Sequence, residues 1–201
     1  MSEVSEAIEK AKEGGLVEGG EGFNRKVALV IAILALFLAF AETLGKSAQT
    51  EVTTKNIEAS DLWGFFQAKN IRMTQITTAA EGMAVLAAGA TDPTAKAAMQ
   101  KQIDAWKKSV ERIDTEAKTG RKEIEEQAKA AEEERDLATA KYHHYELSSA
   151  AFQVGIVLAS AAVITATAAL VWLAGAFGLV GLGLMALGLF APHAVPFIAT
   201  L

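Results

Sequence analysis

Gly89-Ala90-Thr91-Asp92-Pro93 is the stretch on which the fold turns. Gly89 suits the left-handed position that ends a helix. Asp92 can cap the next helix, its carboxylate accepting from amides that have no partner of their own. Pro93 fits the first turn of that helix, where no amide hydrogen is needed. On each side runs a long Ala-rich segment without another proline, and each segment leads to a strongly apolar stretch. Two arms of nearly equal length, both rooted in apolar segments, predict an antiparallel helical hairpin standing on a membrane.

The arms carry the pattern such a hairpin needs. In the first, Ala48, Val52, Lys55, Ala59, Leu62, Phe66, Lys69, Met73, Ile76, Ala80, Met83 and Ala87 recur at alternating steps of 4 and 3. In the second, Met99, Ile103, Trp106, Val110, Ile113, Ala117, Gly120 and Ile124 do the same, and one longer step to Ala128 follows. An average period of about 3.5 is that of a coiled coil, and the longer step reads as a stutter that relaxes the supercoil locally. The predicted seam is Leu62, Phe66, Met73, Ile76 and Met83 against Ile103, Trp106, Val110, Ile113, Gly120 and Ile124. Zipped from the corner, Phe66 faces Gly120, Trp106 faces Ala80, Met83 faces Ile103 and Ile76 faces Val110. Large then meets small at both aromatic sites. Lys55 falls beside Ala131 and Glu132-Glu133-Glu134. Fully helical arms would reach roughly 70–80 Å.

Charge and apolarity are segregated along the 201 residues. All Lys and Arg lie between Lys10 and Lys141, and no charged residue follows Glu146. A net charge of −5 argues against nucleic acid as a partner. The absence of cysteine excludes disulfides, thiol catalysis and thiolate metal sites. Residues 1–23 read as a flexible, acidic, Gly-rich tail, with a short helix at Ser2 to Glu13 and no phosphate-loop signature. Residues 24–44 read as the first membrane span: Val27 to Leu44 contains only Glu42 and Thr43 as polar residues. That length just crosses ~30 Å of hydrocarbon. It is read as a retained anchor and not a cleaved signal.

Residues 45–146 are the hairpin, with its bend at 89–93. Residues 147–171 and 172–191 are expected to be the second and third spans, with the corner between them near Gly175 to Gly178. Residues 192–201 form a tail that begins at Pro192. Ala28, Ala32, Ala35 and Ala39 make a smooth row on the first span. Gly155, Ala159, Ala162, Ala166 and Ala169 make another on the second, and the two rows are expected to meet. The fold class is therefore an all-α membrane protein: three transmembrane helices, with a long antiparallel coiled-coil stalk between the first and second.

Chemistry is sparse. Tyr142-His143-His144-Tyr145-Glu146 invites a metal reading, but adjacent histidines on a helix point about 100° apart. An interfacial aromatic belt explains the cluster better. Glu42 is either a carboxylate at the headgroup level or a partner for Lys46 four residues on. In Leu62-Trp63-Gly64-Phe65-Phe66, Leu62 and Phe66 belong to the seam, which leaves Trp63 and Phe65 to contact a second copy or a protein partner. No catalytic, cofactor or metal site is expected.

Three stretches carry a resemblance: Asn24-Arg25-Lys26-Val27-Ala28, Ala41-Glu42-Thr43-Leu44-Gly45-Lys46-Ser47-Ala48-Gln49-Thr50, and Asn56 through Trp63 with Gln67-Ala68-Lys69. They resemble a bacterial, proteobacterial, integral membrane family described only as a domain of unknown function. The resemblance covers residues 24–171 and implies membrane insertion without a mapped activity. The resulting expectation is a non-enzymatic, homo-oligomeric scaffold in the bacterial inner membrane. Lipids surround its spans, its stalk is cytoplasmic, and an unidentified protein partner on the stalk remains open. The rivals are a channel or transporter subunit with a pore formed by oligomerisation, which ion flux dependent on Glu42 would favour, and an accessory subunit of a larger membrane complex.

Overall fold

The computed structural model describes residues 18–195. Among them are four helices and no strand: α1 is Glu18–Gly89, α2 is Pro93–Thr115, α3 is Arg121–Thr165 and α4 is Ala168–Phe190. Helices α1, α3 and α4 are long and apolar enough to cross a membrane. The predicted helix at 2–13 and the last residues of the C-terminal tail lie outside the described residues. Gly19, Gly20 and Gly22, read from sequence as linker, are helical, because α1 already runs at Glu18. The chain divides into two compact units, residues 51–136 and residues 1–50 with 137–201.

In the unit of residues 51–136, Asp92 caps α2. Its Oδ1 accepts from the Thr94 amide at 3.0 Å and its Oδ2 from the Ala95 amide at 3.3 Å, with Pro93 in the first turn. Gly89 departs from expectation. It is the last residue of α1 and does not adopt a left-handed φ. The Ala90 amide turns back to the Ala87 carbonyl at 3.4 Å, so the corner closes without a left-handed residue.

The second arm is not continuous. Helix α2 stops at Thr115 and α3 starts at Arg121. Between them Lys118 takes a left-handed φ of 66°. The Gly120 amide bonds the Glu116 carbonyl at 2.6 Å. A side chain at Gly120 would meet the Glu116 and Asp114 carbonyls at 2.7 and 2.8 Å. Gly120 therefore serves a tight backbone turn, not a helical seam position. Across the break, Asp114 Oδ1 accepts from Arg121 Nε at 2.8 Å, and its Oδ2 lies 3.1 Å from Lys122 Nζ. Burial alone would push the Asp114 carboxyl up, but hydrogen bonds from Lys122 and Arg121 outweigh it and hold the group below its ordinary value.

The unit of residues 1–50 and 137–201 has its core between α1, α3 and α4. One cluster is Val27, Ala159 and Ala174; another is Leu34, Ala41 and Phe152, with Phe37 stacked on Phe152 at 6.0 Å. Helix α4 buries one row, Ala174, Gly178, Gly181 and Gly188. The large groups come from its neighbours. A Cβ at Gly178 would lie 2.7 Å from Leu34, one at Gly181 2.9 Å from the Phe152 ring, and one at Gly188 2.8 Å from the Tyr145 ring. The Ser148 hydroxyl donates to the Gly181 carbonyl at 2.8 Å.

Two expectations for the spans are corrected here. The corner between the second and third spans is at Ala166-Thr167, where Ala166 takes a φ of 54°. Gly175 and Gly178 are inside α4, and Gly178 is occupied in seating Leu34. The alanine row of the first span does not pack within the chain: Ala28, Ala32, Ala35 and Ala39 are exposed. Val27, Leu34 and Ala41 face inward in their place: Leu34 fills the space left at Gly178, and Val27 packs against Ala159 and Ala174. In the second row Gly155, Ala159 and Ala162 are buried, whereas Ala166 and Ala169 lie exposed at and just after the corner.

Two outcomes follow. Gly181→Ala should destabilise the helical unit in detergent by about 1–3 kcal/mol, while Gly183→Ala, with nothing within 4 Å of its added methyl, should leave it unchanged or slightly more stable; thermal unfolding followed by circular dichroism compares them. For Asp114, a folded pKa below the unfolded value means that the ion pairs stabilise the α2–α3 joint above about pH 4. That stability disappears as pH falls through the folded pKa. An NMR titration of the Asp114 carboxyl carbon should show a midpoint below that of an unfolded aspartate, and Lys122→Ala should move it upward.

Candidate functional site

Between residues 51 and 89, burial follows one face of α1. Ala59, Ala80 and Ala87 are buried; Val52, Lys55, Leu62, Phe66, Lys69, Met73, Ile76 and Met83 are half-buried. On the other helices Ile103, Ile113, Gly120 and Ile124 are buried, and Trp106 and Val110 are half-buried. Polar side chains join α1 to α3 in this unit. Lys55 Nζ lies 2.6 Å from Glu134, Trp63 Nε1 donates to Glu132 Oε1 at 3.0 Å, and the Arg121 guanidinium sits 5.4 Å over the Phe66 ring. Numbers rise along α1 as they fall along α3, so these segments run antiparallel. Hydrogen bonds to Glu134 and then Glu58 raise the Lys55 ammonium well above its ordinary pKa, so it stays charged wherever the chain is folded.

Trp63, expected with Phe65 to contact a second copy or a protein partner, has its indole half-buried within the chain, bonded to Glu132 and edge-on to Phe66 at 5.4 Å. An indole N–H needs an acceptor once it is partly buried, and Glu132 supplies one. Phe65 is 63% exposed. It is joined on the open side of α1 by Ile57, Ile71, Val85 and Leu86, also exposed. Ile57, Ile71 and Val85 recur every two heptads, and Phe65 and Leu86 form a second column about 100° round the helix, with Ala68 and Gly82 between the two. A side chain added at Gly64 or Gly82 would meet nothing within 4 Å. This outer row was not singled out from the sequence, apart from Phe65. The signal was present as a second apolar period beside the stronger inward one.

A second feature lies in the other unit. Helices α1 and α3 enclose a groove of about 490 Å³ at the end of the first apolar run. Glu42, Lys46 and Gln49 line it from α1, and Tyr142, Glu146 and Gln153 from α3. Gly45 faces Tyr145 there, and a Cβ at Gly45 would make ordinary contact with the tyrosine Cβ at 3.5 Å. Among the described residues no ion pair joins Glu42 to Lys46, although the two are four apart. The sequence put Glu42 at the headgroup level but gave no sign of the groove, because half of its wall arrives from residues about 100 positions later.

The histidines diverge. His143 Nδ1 lies 3.9 Å from Glu146 Oε2, while His144 is fully buried and its Nδ1 donates to the Ala140 carbonyl at 2.8 Å. Among the described residues no three potential metal ligands gather.

The family described as Domain of unknown function (DUF4337) matches residues 23–191 of the chain. No curated protein and no solved structure matches it.

The Trp63 contact has a spectroscopic consequence. With Trp106 and Trp172 replaced by phenylalanine, Glu132→Ala should shift Trp63 emission to the red and increase its quenching by acrylamide, whereas Glu133→Ala should do neither.

Proposed function

The chain belongs to the DUF4337 family, and from that premise we propose that it is a non-enzymatic, homo-oligomeric membrane scaffold of the bacterial inner membrane. Its spans are embedded in lipid, and residues 51–136 form a coiled-coil hairpin on the cytoplasmic side that presents the contact surface. One observation carries this reading. Along α1, Ile57, Phe65, Ile71, Val85 and Leu86 are each between 57% and 73% exposed, outside the apolar run that qualifies α1 as a span.

Lipid does not reach that face in the proposed topology, and water does not favour it. Covering an exposed Ile, Leu or Phe contributes about 1.5–3 kcal/mol. The face is a band of two columns with small residues between them, repeating at multiples of seven, which suits a matching helix better than a small ligand. Gly64, Ala68 and Gly82 sit among the large residues, so a second helix can approach closely. A symmetric copy offers the same row in the same register, and few charges oppose it, since only Glu58, Asp61, Lys69, Arg72 and Glu81 are ionisable between Asn56 and Gly89.

Mass measurement in native nanodiscs tests the reading. The full chain should appear as a defined oligomer, and Ile71→Glu should shift it toward monomer with unchanged far-ultraviolet circular dichroism. Monomers alone in the unmodified protein would reject the proposal.

A further inference from the structure

We propose that the groove between α1 and α3 binds one phospholipid whose headgroup carries a primary ammonium beside its phosphate. The inference rests on the membrane reading of these helices and adds to it a specific ligand.

Size and position come first. A cavity of about 490 Å³ lies within the range of small-ligand sites. It opens where the apolar run of α1 ends at Leu44 and that of α3 begins at Leu147, which is the depth of headgroups in a bilayer.

Charge selects the headgroup. The lining holds two carboxylates, Glu42 and Glu146, against one ammonium, Lys46. Among the described residues neither Glu42 nor Lys46 is in an ion pair, and the one ion-pair approach to Glu146 is His143 at 3.9 Å. A wall of both signs whose charges do not neutralise each other matches a zwitterion. An ethanolamine ammonium has three N–H donors for the carboxylates. Its phosphate can accept from the Lys46 ammonium, while the Tyr142 hydroxyl donates to Glu146 and holds that carboxylate in the wall. Phosphatidylglycerol brings negative charge without a cation, so both carboxylates oppose it. A choline nitrogen carries no N–H to donate.

The acyl chains have a path. Toward the N-terminus of α1, the side that carries Lys46 and Glu42 continues as Ala39, Ala35, Ala32 and Ala28, all exposed. On α3, Val157 is 66% exposed one turn beyond Gln153. Methyl-sized side chains leave a shallow furrow in which a hydrocarbon chain can lie.

Native mass spectrometry of the full chain tests this, with the detergent-solubilised protein offered phosphatidylethanolamine, phosphatidylglycerol and phosphatidylcholine of identical acyl chains at equal concentration. Phosphatidylethanolamine should be retained preferentially, at one per chain. Glu42→Gln and Lys46→Gln should each lower that retention roughly tenfold, while Lys26→Gln, outside the groove, should not. Equal retention of the three lipids, a preference for phosphatidylglycerol, or indifference to both groove variants would overturn the assignment. So would binding of soluble phosphoethanolamine as tight as that of the lipid, which would mean that the groove reads a free headgroup. Carbonate extraction of native membranes separates the two levels. A chain that stays in the membrane but shows no selectivity sinks the lipid site alone, and a chain released by carbonate sinks the membrane reading with it.

Discussion

In the proposed membrane setting, helices gain nothing from hiding leucine, since lipid is as apolar as another side chain. Contact must come from close fit, and in this chain the fit is made by absence. Gly178, Gly181 and Gly188 remove side chains from one row of α4, and Leu34, Phe152 and Tyr145 occupy the space. The Ser148 hydroxyl adds one directional bond to the Gly181 carbonyl. Large residues on α1 and α3 are thereby committed to α4, which decides what those helices have left to offer on their other sides. The alanine row of α1 is free of intrachain packing because Val27, Leu34 and Ala41 have taken the inner face.

In the same proposed setting the unit of residues 51–136 solves a different problem, in which burial must compete with solvation by water. Ala59, Ala80 and Ala87 pack inward from α1 and Ile103, Ile113 and Ile124 from α2 and α3, while long side chains close the edges. Lys55 bridges to Glu134, Arg121 covers Phe66 and Glu132 satisfies Trp63. Each puts a polar tip over an apolar contact, which is how a thin assembly shields a seam without a thick core. The break between α2 and α3 fits the same economy. Gly120 permits a turn that no other residue would fit, and Asp114 ties the two helix ends through Arg121 and Lys122. What remains uncovered is the outer row on α1, and that excess of apolar surface is the basis for reading the chain as one copy among several.

The all-helical class and the three apolar helices were legible because both rest on local, cumulative signals: long runs without proline, apolar length, and the segregation of charge. The Asp92-Pro93 start of α2 is equally local, since a cap and a first-turn proline act within four residues. From sequence alone, though, Gly89 looked left-handed, and Gly175 to Gly178 looked like a corner. Glycine permits a turn, but whether it makes one depends on what packs against it. At Gly178 the answer is Leu34, and the corner falls instead on Ala166, a residue with no turn signal of its own.

The sequence by itself determined the periodicity, the placement of charge, the apolar lengths and the family, because each is a property of neighbours along the chain. Only the tertiary structure decided which of two adjacent apolar rows on α1 faces inward, where the indole of Trp63 finds its acceptor, and that Glu42 and Lys46 share a groove with Tyr142 and Glu146. Those are contacts between residues far apart in the chain. A helical period tells which side chains share a face; it does not tell which partner the face will meet, because small residues permit close approach without compelling it.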